Sequence, residues 1–387
     1  MANTIAACVY AFYKFFVFKT SRENSEIKFR PAAIFDMSDY TFKGYQCHSK
    51  EGWNKLELVE FPVKDFQDYD IDVKISYTGV CGTDLHTLRN GWNTTNYPVI
   101  VGHEIVGKAV RVGPKVKSIK HGDRVGVGAV SWSCGECDAC HTNNEQYCKE
   151  QVETYNMSYK EGWTAFGGYA NYARVHENFV FPIPDGIDEA IVAPMLCGGL
   201  TLYSPLRRAG VTKGSKVGIV GLGGLGHFGV LLAVALGAEV TVISHSPRKR
   251  DDAMAMGAKN FLCGDDWDKD PANIRSLDLI ISANSSLNID LEKYLSTLRV
   301  GGTFIQCGLP EGKLPAVDPF SLIMNNAAIR GSNVGSKKEA IEMLALVKQK
   351  GVKSWIEVLP MSQCGKAVEN LHAGAARYRY VLKQDIK

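Results

Sequence analysis

The chain has 387 residues, 45% of them hydrophobic and 22% charged, with 44 Lys plus Arg against 41 Asp plus Glu for a formal net charge of +3. That balance is too near neutral to point to nucleic acid or another polyanion, and no run of ~18 uncharged apolar residues marks a membrane span. The composition is that of a soluble globular protein, and a soft prior of ~100–200 residues per domain predicts two domains, possibly three.

Residues 1–35 read differently from the rest. The stretch 5–18 is apolar and aromatic around Lys14, Lys19 and Arg22 follow, and no acid precedes Glu23. This is the pattern of a weak mitochondrial targeting signal, without the basic start and small-residue cleavage site of a secretory one. An extra packed segment or an extension explains it more simply, and its role stays open.

From about 32 to 187, valine-rich runs punctuated by glycine predict short strands at 72–77, 106–112, 123–127 and 170–175, hence a compact β-rich domain. Inside it Cys134, Cys137, Cys140 and Cys148 follow the pattern C-x2-C-x2-C-x7-C. Four thiolates on one short lobe suit the tetrahedral shell of a structural zinc. A disulfide framework is the competing reading. It lacks a signal peptide and leaves Cys8, Cys47, Cys263, Cys307 and Cys364 scattered, so a reducing compartment is expected.

From about 211 the rhythm becomes strand, helix, strand. Strands are predicted at 216–220, 239–243, 277–282 and 303–307, with a helix at 223–236. Such alternation predicts a doubly wound parallel sheet, making the whole chain α/β. An amphipathic helix at 338–348 and a tail holding 356–358 and 379–382 follow. There is no internal repeat.

Gly221-Leu222-Gly223-Gly224-Leu225-Gly226 is G-x-G-x-x-G between a strand and a helix, the context in which glycines bring backbone N–H groups against a pyrophosphate. A bare glycine turn is the bland reading, and the flanking elements argue against it. An NAD site expects an acid at the end of the second strand to grip the ribose 2′-OH. Here Ser244, His245 and Ser246 stand there, followed by Arg248 and Lys249. Hydroxyls and cations can bind a 2′-phosphate that a carboxylate would repel, so NADP(H) is expected over NAD. Three further soft ligands, Cys81, His103 and Cys197, would leave a fourth zinc position open, and Glu104 can fill it or ease exchange. Spacing alone does not bring these three together.

On these residues the chain resembles the zinc-dependent medium-chain dehydrogenase/reductase family, its cinnamyl alcohol dehydrogenase group, and most of all the fungal NADP-dependent broad-specificity members. The likeness rests on Cys81 to His86, Gly102 to Gly107, Cys134 to Cys148, Gly167 to Val175, Pro194 to Pro205, Gly221 to Gly226, Ser244 to Ala255 and Arg377 to Leu382, and spans roughly 36–385. It implies a GroES-like β-rich catalytic domain at 36–197 with the structural zinc lobe, a Rossmann domain at 198–335, and a return to the catalytic domain at 336–387. It further implies Cys81, His103 and Cys197 on a catalytic zinc with Glu104 alternating, and Thr83 and His86 as a proton relay. Ser244, Ser246 and Lys249 would contact the 2′-phosphate, and Thr201 the cofactor. Two zinc ions per chain, a cytoplasmic homodimer and a small aldehyde or alcohol substrate complete the expectation, with no nucleic-acid or membrane partner.

Where plant lignin-pathway members carry a pocket tryptophan, this chain has Glu153, which argues against strict monolignol specificity. Trp92 offers an alternative aromatic wall. His245 stands where relatives often have Ser or Arg, which would soften the NADP preference near neutral pH. The expected reaction is reversible hydride transfer between NADPH and aromatic or medium-chain aldehydes. Reduction of an activated C=C or C=N bond on the same fold, polyol oxidation, and a catalytically silent NADPH-binding protein are the competing functions.

Overall fold

A computed structural model of the protein describes residues 40–264 and 266–387. The expectations for the extension 1–35 lie outside the described residues.

The β-rich part is a mixed sheet in the order Ile356–Pro360, Arg379–Lys383, Asp70–Gly79, Ile105–Val112, Arg124–Val127 and Val180–Pro182, with Tyr172–His176 also pairing to Asp70–Gly79. Asp70–Gly79 is its spine because Ile71, Val73 and Ile75 alternate along it and are fully or almost fully buried. Asp70 and Asp72 are buried too, and each has a cation: Lys64 Nζ lies 2.6 Å from Asp70 Oδ1, and Arg174 Nε 2.7 Å from Asp72 Oδ1. Buried carboxylates persist only when paired in this way.

The second sheet is wholly parallel. Its strands are β1 (Lys216–Val220), β2 (Glu239–Ser244), β3 (Asn260–Cys263), β4 (Leu277–Ser282), β5 (Leu298–Gln306) and β6 (Ala328–Gly331), in the spatial order β3-β2-β1-β4-β5-β6. Apolar runs such as Val217, Ile219 and Val220 suit strands covered on both faces. The order reverses at β1, so a crevice opens at the carboxyl ends of β1 and β4, where doubly wound folds bind nucleotides.

Among the elements that escaped the sequence reading, two have a clear physical reason. Helix Gly198–Arg208 opens on two glycines and holds Pro205, so its propensity is poor; it forms because its length from Gly198 to Leu206 is buried. Strand β6 is a four-residue, largely exposed edge with little hydrophobic pattern to find. The predicted helix at 223–236 is Gly226–Ala235, because Gly221 at φ +85° keeps the chain in a turn before it.

Helix Lys337–Lys350 braces helix Gly198–Arg208. Ser336 caps it in a reciprocal box with Glu339, and Gly351 at φ +65° ends it. Glu339 also accepts Ser204 Oγ at 3.1 Å and Arg208 Nε at 2.6 Å, tying this helix to Gly198–Arg208. Burial pushes the Glu339 carboxyl up, but Arg208 together with the Ser336 backbone N–H and Ser204 outweighs it, and the group sits below its ordinary value. One hydrophobic core runs from Val217 and Ile219 through Leu200 and Leu202 to Phe181 and Val381, so it spans both sheets. Among the described residues no single helix is long and apolar enough to cross a membrane.

Candidate active site

Cys81, His103, Glu104 and Cys197 are all buried, and one ligand atom from each lies within 4.8 Å of the others. Three separate turns deliver them. Cys81 is the N-cap of helix Gly82–Leu88; His103 follows Gly102, whose φ of +106° favours glycine; Cys197 joins the 3-10 turn Ala193–Leu196 to helix Gly198–Arg208.

The imidazole is oriented from behind. His103 Nδ1 lies 3.1 Å from Asp84 Oδ1 and 3.1 Å from the Tyr155 hydroxyl, which itself donates to Asp84 at 2.8 Å. Asp84 also accepts the Cys81 backbone N–H at 2.9 Å and the Gly102 N–H at 3.2 Å. One carboxylate thus caps the helix and fixes the histidine tautomer, as metal-binding histidines require. The remaining nitrogen, His103 Nε2, is buried with no hydrogen-bond partner. A buried lone pair facing two thiols is what a metal ligand looks like, so this donor set fits zinc.

The electrostatics agree. The hydrogen bond shared by the two thiols holds Cys81 well below the ordinary thiol value and pushes Cys197 well above it, and His103 and Arg379 further favour the Cys81 thiolate. Burial opposes charge on His103, but Asp84 and Cys81 outweigh it and raise the imidazole well above its ordinary value. Burial pushes Glu104 up to about 8 against the pull of Arg379. Arg379 Nη2 donates to Glu104 Oε1 at 2.7 Å and to the Val80 carbonyl at 2.9 Å.

The second cysteine group has sulfur separations of 3.5 Å (Cys134–Cys148), 3.6 Å (Cys137–Cys140) and 4.0 Å (Cys134–Cys140). A tetrahedron of bonds of roughly 2.3 Å has edges of roughly 3.8 Å, so these sulfurs also fit zinc. Backbone N–H groups of Glu136 and Cys137 hold Cys134 down at about 7. All ten cysteines among the described residues are free, which removes the disulfide reading for them.

A cleft of about 530 Å³ joins the first cluster to the glycine turn; Thr83, His86, Trp92, Thr201 and Glu153 line it, and so do Gly223, Gly224 and Leu225. Thr83 Oγ1 is 3.7 Å from Cys81 Sγ. His86 Nδ1 lies 2.5 Å from Glu311 Oε1, and its ring stacks on Trp92 with centroids 4.8 Å apart. Thr201 donates its backbone N–H to Cys197 O at 2.8 Å.

The turn is shaped for a ligand. A Cβ on Gly226 would fall 1.8 Å from Gly221 O, whereas Gly223 has open space beside it. Leu222 is buried beneath the turn. His227 Nδ1 bonds Gly224 O at 2.8 Å. At the end of β2, Ser244 Oγ accepts the Ser246 N–H at 3.5 Å, Arg248 Nε reaches Ser246 Oγ at 3.4 Å, and His245 is exposed. Lys249 Nζ donates to Leu222 O at 2.7 Å, so it is tethered to the glycine turn rather than extended into solvent. Burial lowers its ammonium, with Arg377 and Arg248 adding to the effect.

Arg379, Tyr155, Asp84 and Glu311 were missed as site residues. Asp84 three residues after Cys81 carried a capping-box signal. Arg379 meets Glu104 across 275 residues and Glu311 meets His86 across 225, and nothing local marks such pairs.

Taken together, a nucleotide crevice beside a buried thiolate and imidazole cluster defines a zinc-binding dehydrogenase. Residues 67–185 match the alcohol dehydrogenase GroES-like domain family and 224–349 the zinc-binding dehydrogenase family. The chain is 45% identical over 347 residues to NADP-dependent alcohol dehydrogenase 6 of Saccharomyces cerevisiae, covering 88% of this chain and 96% of that one. It superposes on a cinnamyl alcohol dehydrogenase from Sorghum bicolor with a TM-score of 0.84 at 36% identity, covering 89% of this chain and 98% of that one. The Helicobacter pylori enzyme solved with NADP(H) gives 0.82 at 36% identity, with the same coverage of each chain. The chain belongs to the zinc-dependent medium-chain alcohol dehydrogenases, in the cinnamyl alcohol dehydrogenase group.

Proposed function

We propose that the protein is an NADP(H)-dependent alcohol dehydrogenase that reduces aldehydes reversibly, with two zinc ions per chain. The observation that carries this is the unpartnered His103 Nε2 buried among Cys81, Cys197 and Glu104, in one cleft with the glycine turn. When bound, zinc supplies Lewis-acid polarisation of the carbonyl and NADPH supplies hydride.

Cys81, His103 and Cys197 would hold the catalytic ion, with Glu104, anchored by Arg379, as the exchangeable fourth donor; Cys134, Cys137, Cys140 and Cys148 would hold the structural ion. Asp84 keeps the His103 tautomer. Thr83, beside Cys81 at the cleft floor, hands a proton to the substrate oxygen, and His86 links Thr83 to solvent. Gly221 to Gly226 would cradle the pyrophosphate of NADP(H), and Ser244, Ser246, Arg248 and Lys249 would hold its 2′-phosphate.

We assign 36–197 and 336–387 to the catalytic part and 198–335 to the nucleotide part. A homodimer through the free edge of β6 is supported by exposed Phe320, Ile323, Met324 and Ile329 beside it. A cytoplasmic site is supported by the ten described cysteines, none of which is in a disulfide.

The test is the initial rate of NADPH oxidation with cinnamaldehyde, set against NADH. Turnover favouring NADPH is expected. Absence of turnover with both cofactors would move the reading to C=C or C=N reduction.

A further inference from the structure

Among the described residues Glu153 is the one carboxylate lining the cleft for which the catalytic scheme has no use. It sits on the short strand Val152–Glu153, paired to Val130–Trp132, and its backbone is held on every side. Its carbonyl accepts Ser131 Oγ at 3.2 Å and its N–H meets Met157 Sδ at 3.4 Å. The next two residues are locked as well: Thr154 Oγ1 donates to Gly128 O at 2.6 Å and the Tyr155 hydroxyl to Asp84 at 2.8 Å. Alternation on the strand turns Val152 inward and leaves Glu153 on the cleft wall.

Among the described residues the exposed Glu153 carboxylate has neither a hydrogen bond nor an ion pair, whereas the buried Glu104, Asp70 and Asp72 are each paired with a cation. Arg379 is the one Lys or Arg among the described residues that lines this cleft, and it is committed to Glu104. The surrounding walls push the Glu153 carboxyl above its ordinary value, with His103 opposing. Leu309 and Val334 add apolar surface to the cleft, Asn156 donates to Thr94 O, and Trp92 Nε1, which also lines it, has no partner and forms no bond with Glu153. An unpaired acceptor carried on a held backbone in a substrate cleft rewards a ligand that brings a donor and penalises one that brings another anion.

We propose that Glu153 makes the enzyme selective for carbonyl compounds carrying a hydroxyl or a protonated amine at the end remote from the carbonyl, and turns away those carrying a carboxylate there. The inference rests on the aldehyde-reductase reading above and names the substrate class of that same site.

The experiment compares kcat/KM with NADPH for four substrates: benzaldehyde, 4-(hydroxymethyl)benzaldehyde, 4-(dimethylaminomethyl)benzaldehyde and 4-formylbenzoate. Each rate is expressed as a ratio to benzaldehyde within the same protein, so the amount of active enzyme cancels. In the native protein the two donor-bearing substrates should exceed benzaldehyde by about tenfold and 4-formylbenzoate should fall below it. Glu153→Gln, nearly isosteric, should keep the hydroxyl preference, lose the amine preference and admit 4-formylbenzoate; Glu153→Leu should lose both preferences. A native preference confined to the hydroxyl or to the amine identifies which donor the site takes, provided that Glu153→Leu abolishes it. Flat ratios in the native protein, or ratios unchanged in Glu153→Leu, overturn the inference while the parent reading stands. No turnover of any of the four by the native protein overturns both.

Discussion

Glu311 Oε1 lies 2.5 Å from His86 Nδ1, joining the loop after β5 to helix Gly82–Leu88 across the mouth of the cleft. With Trp92 stacked on the ring, the imidazole is held by one charge and one aromatic face. Gly91 shares this arrangement, because a Cβ there would come within 2.0 Å of Glu311 Oε1. Glu311→Ala and Gly91→Ala should therefore have the same effect, a fall in kcat of about tenfold as the relay loses its orientation. Steady-state kinetics alongside unchanged zinc content checks this; native kcat in either variant would show that the contact is not used.

The two metal clusters should separate cleanly. Cys197→Ala should lose one of two zinc ions by elemental analysis and about a thousandfold in kcat, with its circular dichroism preserved. Cys137→Ser should lose the other ion and lower the melting temperature by about 10 °C. Retention of both ions by Cys197→Ala would remove that residue from the ligand set.

Lys249→Ala should raise the KM for NADPH by about 10- to 100-fold and move that for NADH little, as expected for one charge-assisted contact. Because Lys249 also donates to Leu222 O, an alternative outcome is informative. Equal loss for both cofactors would assign Lys249 to bracing the glycine turn instead of reading the phosphate.

His227 gives a stability prediction with a definite sign. Burial, with Arg379 adding, lowers its imidazole to about 3, so it is neutral in the folded protein. An unfolded histidine titrates near 6.5, so the unfolded chain takes up this proton first. Stability is then fully present above pH ~6.5 and is lost as pH falls toward about 3, about 2 kcal/mol having gone by pH ~5. Denaturant unfolding at pH 7.5 and 5 should show that loss in the native protein and a smaller one in His227→Asn. The same loss in both would place the acid sensitivity elsewhere.

Ile329→Asp puts a charge on the edge strand β6, whose one sheet neighbour is β5. Sedimentation should show a dimer for the native protein and a monomer for the variant. A native monomer would refute the proposed assembly outright.

How much of this was legible in the chain depended on distance along it. Local chemistry was: the cysteine run from Cys134 to Cys148, the glycines between β1 and its helix, and the missing acid at Ser244 each state their requirement within a few residues. The cluster of Cys81, His103 and Cys197 needed the resemblance, because no spacing rule joins three separate turns. Arg379 and Glu311 were invisible, since an arginine on a tail strand and a glutamate in a loop look like solvated charges until the fold buries one and aims the other. Helix Gly198–Arg208 was missed for the opposite reason: its local signals are those of a break, and packing overrode them.

The seating of Arg379–Lys383 between Ile356–Pro360 and Asp70–Gly79 has a consequence for how the chain is made. Arg379 reaches the Val80 carbonyl from 299 residues away, whereas every strand of the parallel sheet lies within 216–331. On the ribosome, the strands of the nucleotide half can pair once residue 331 has emerged, but the sheet bearing the metal ligands waits for Arg379. A nascent or prematurely terminated chain would thus carry a finished nucleotide site next to an open sheet with its cysteines exposed, the state in which quality control and metal delivery would meet it.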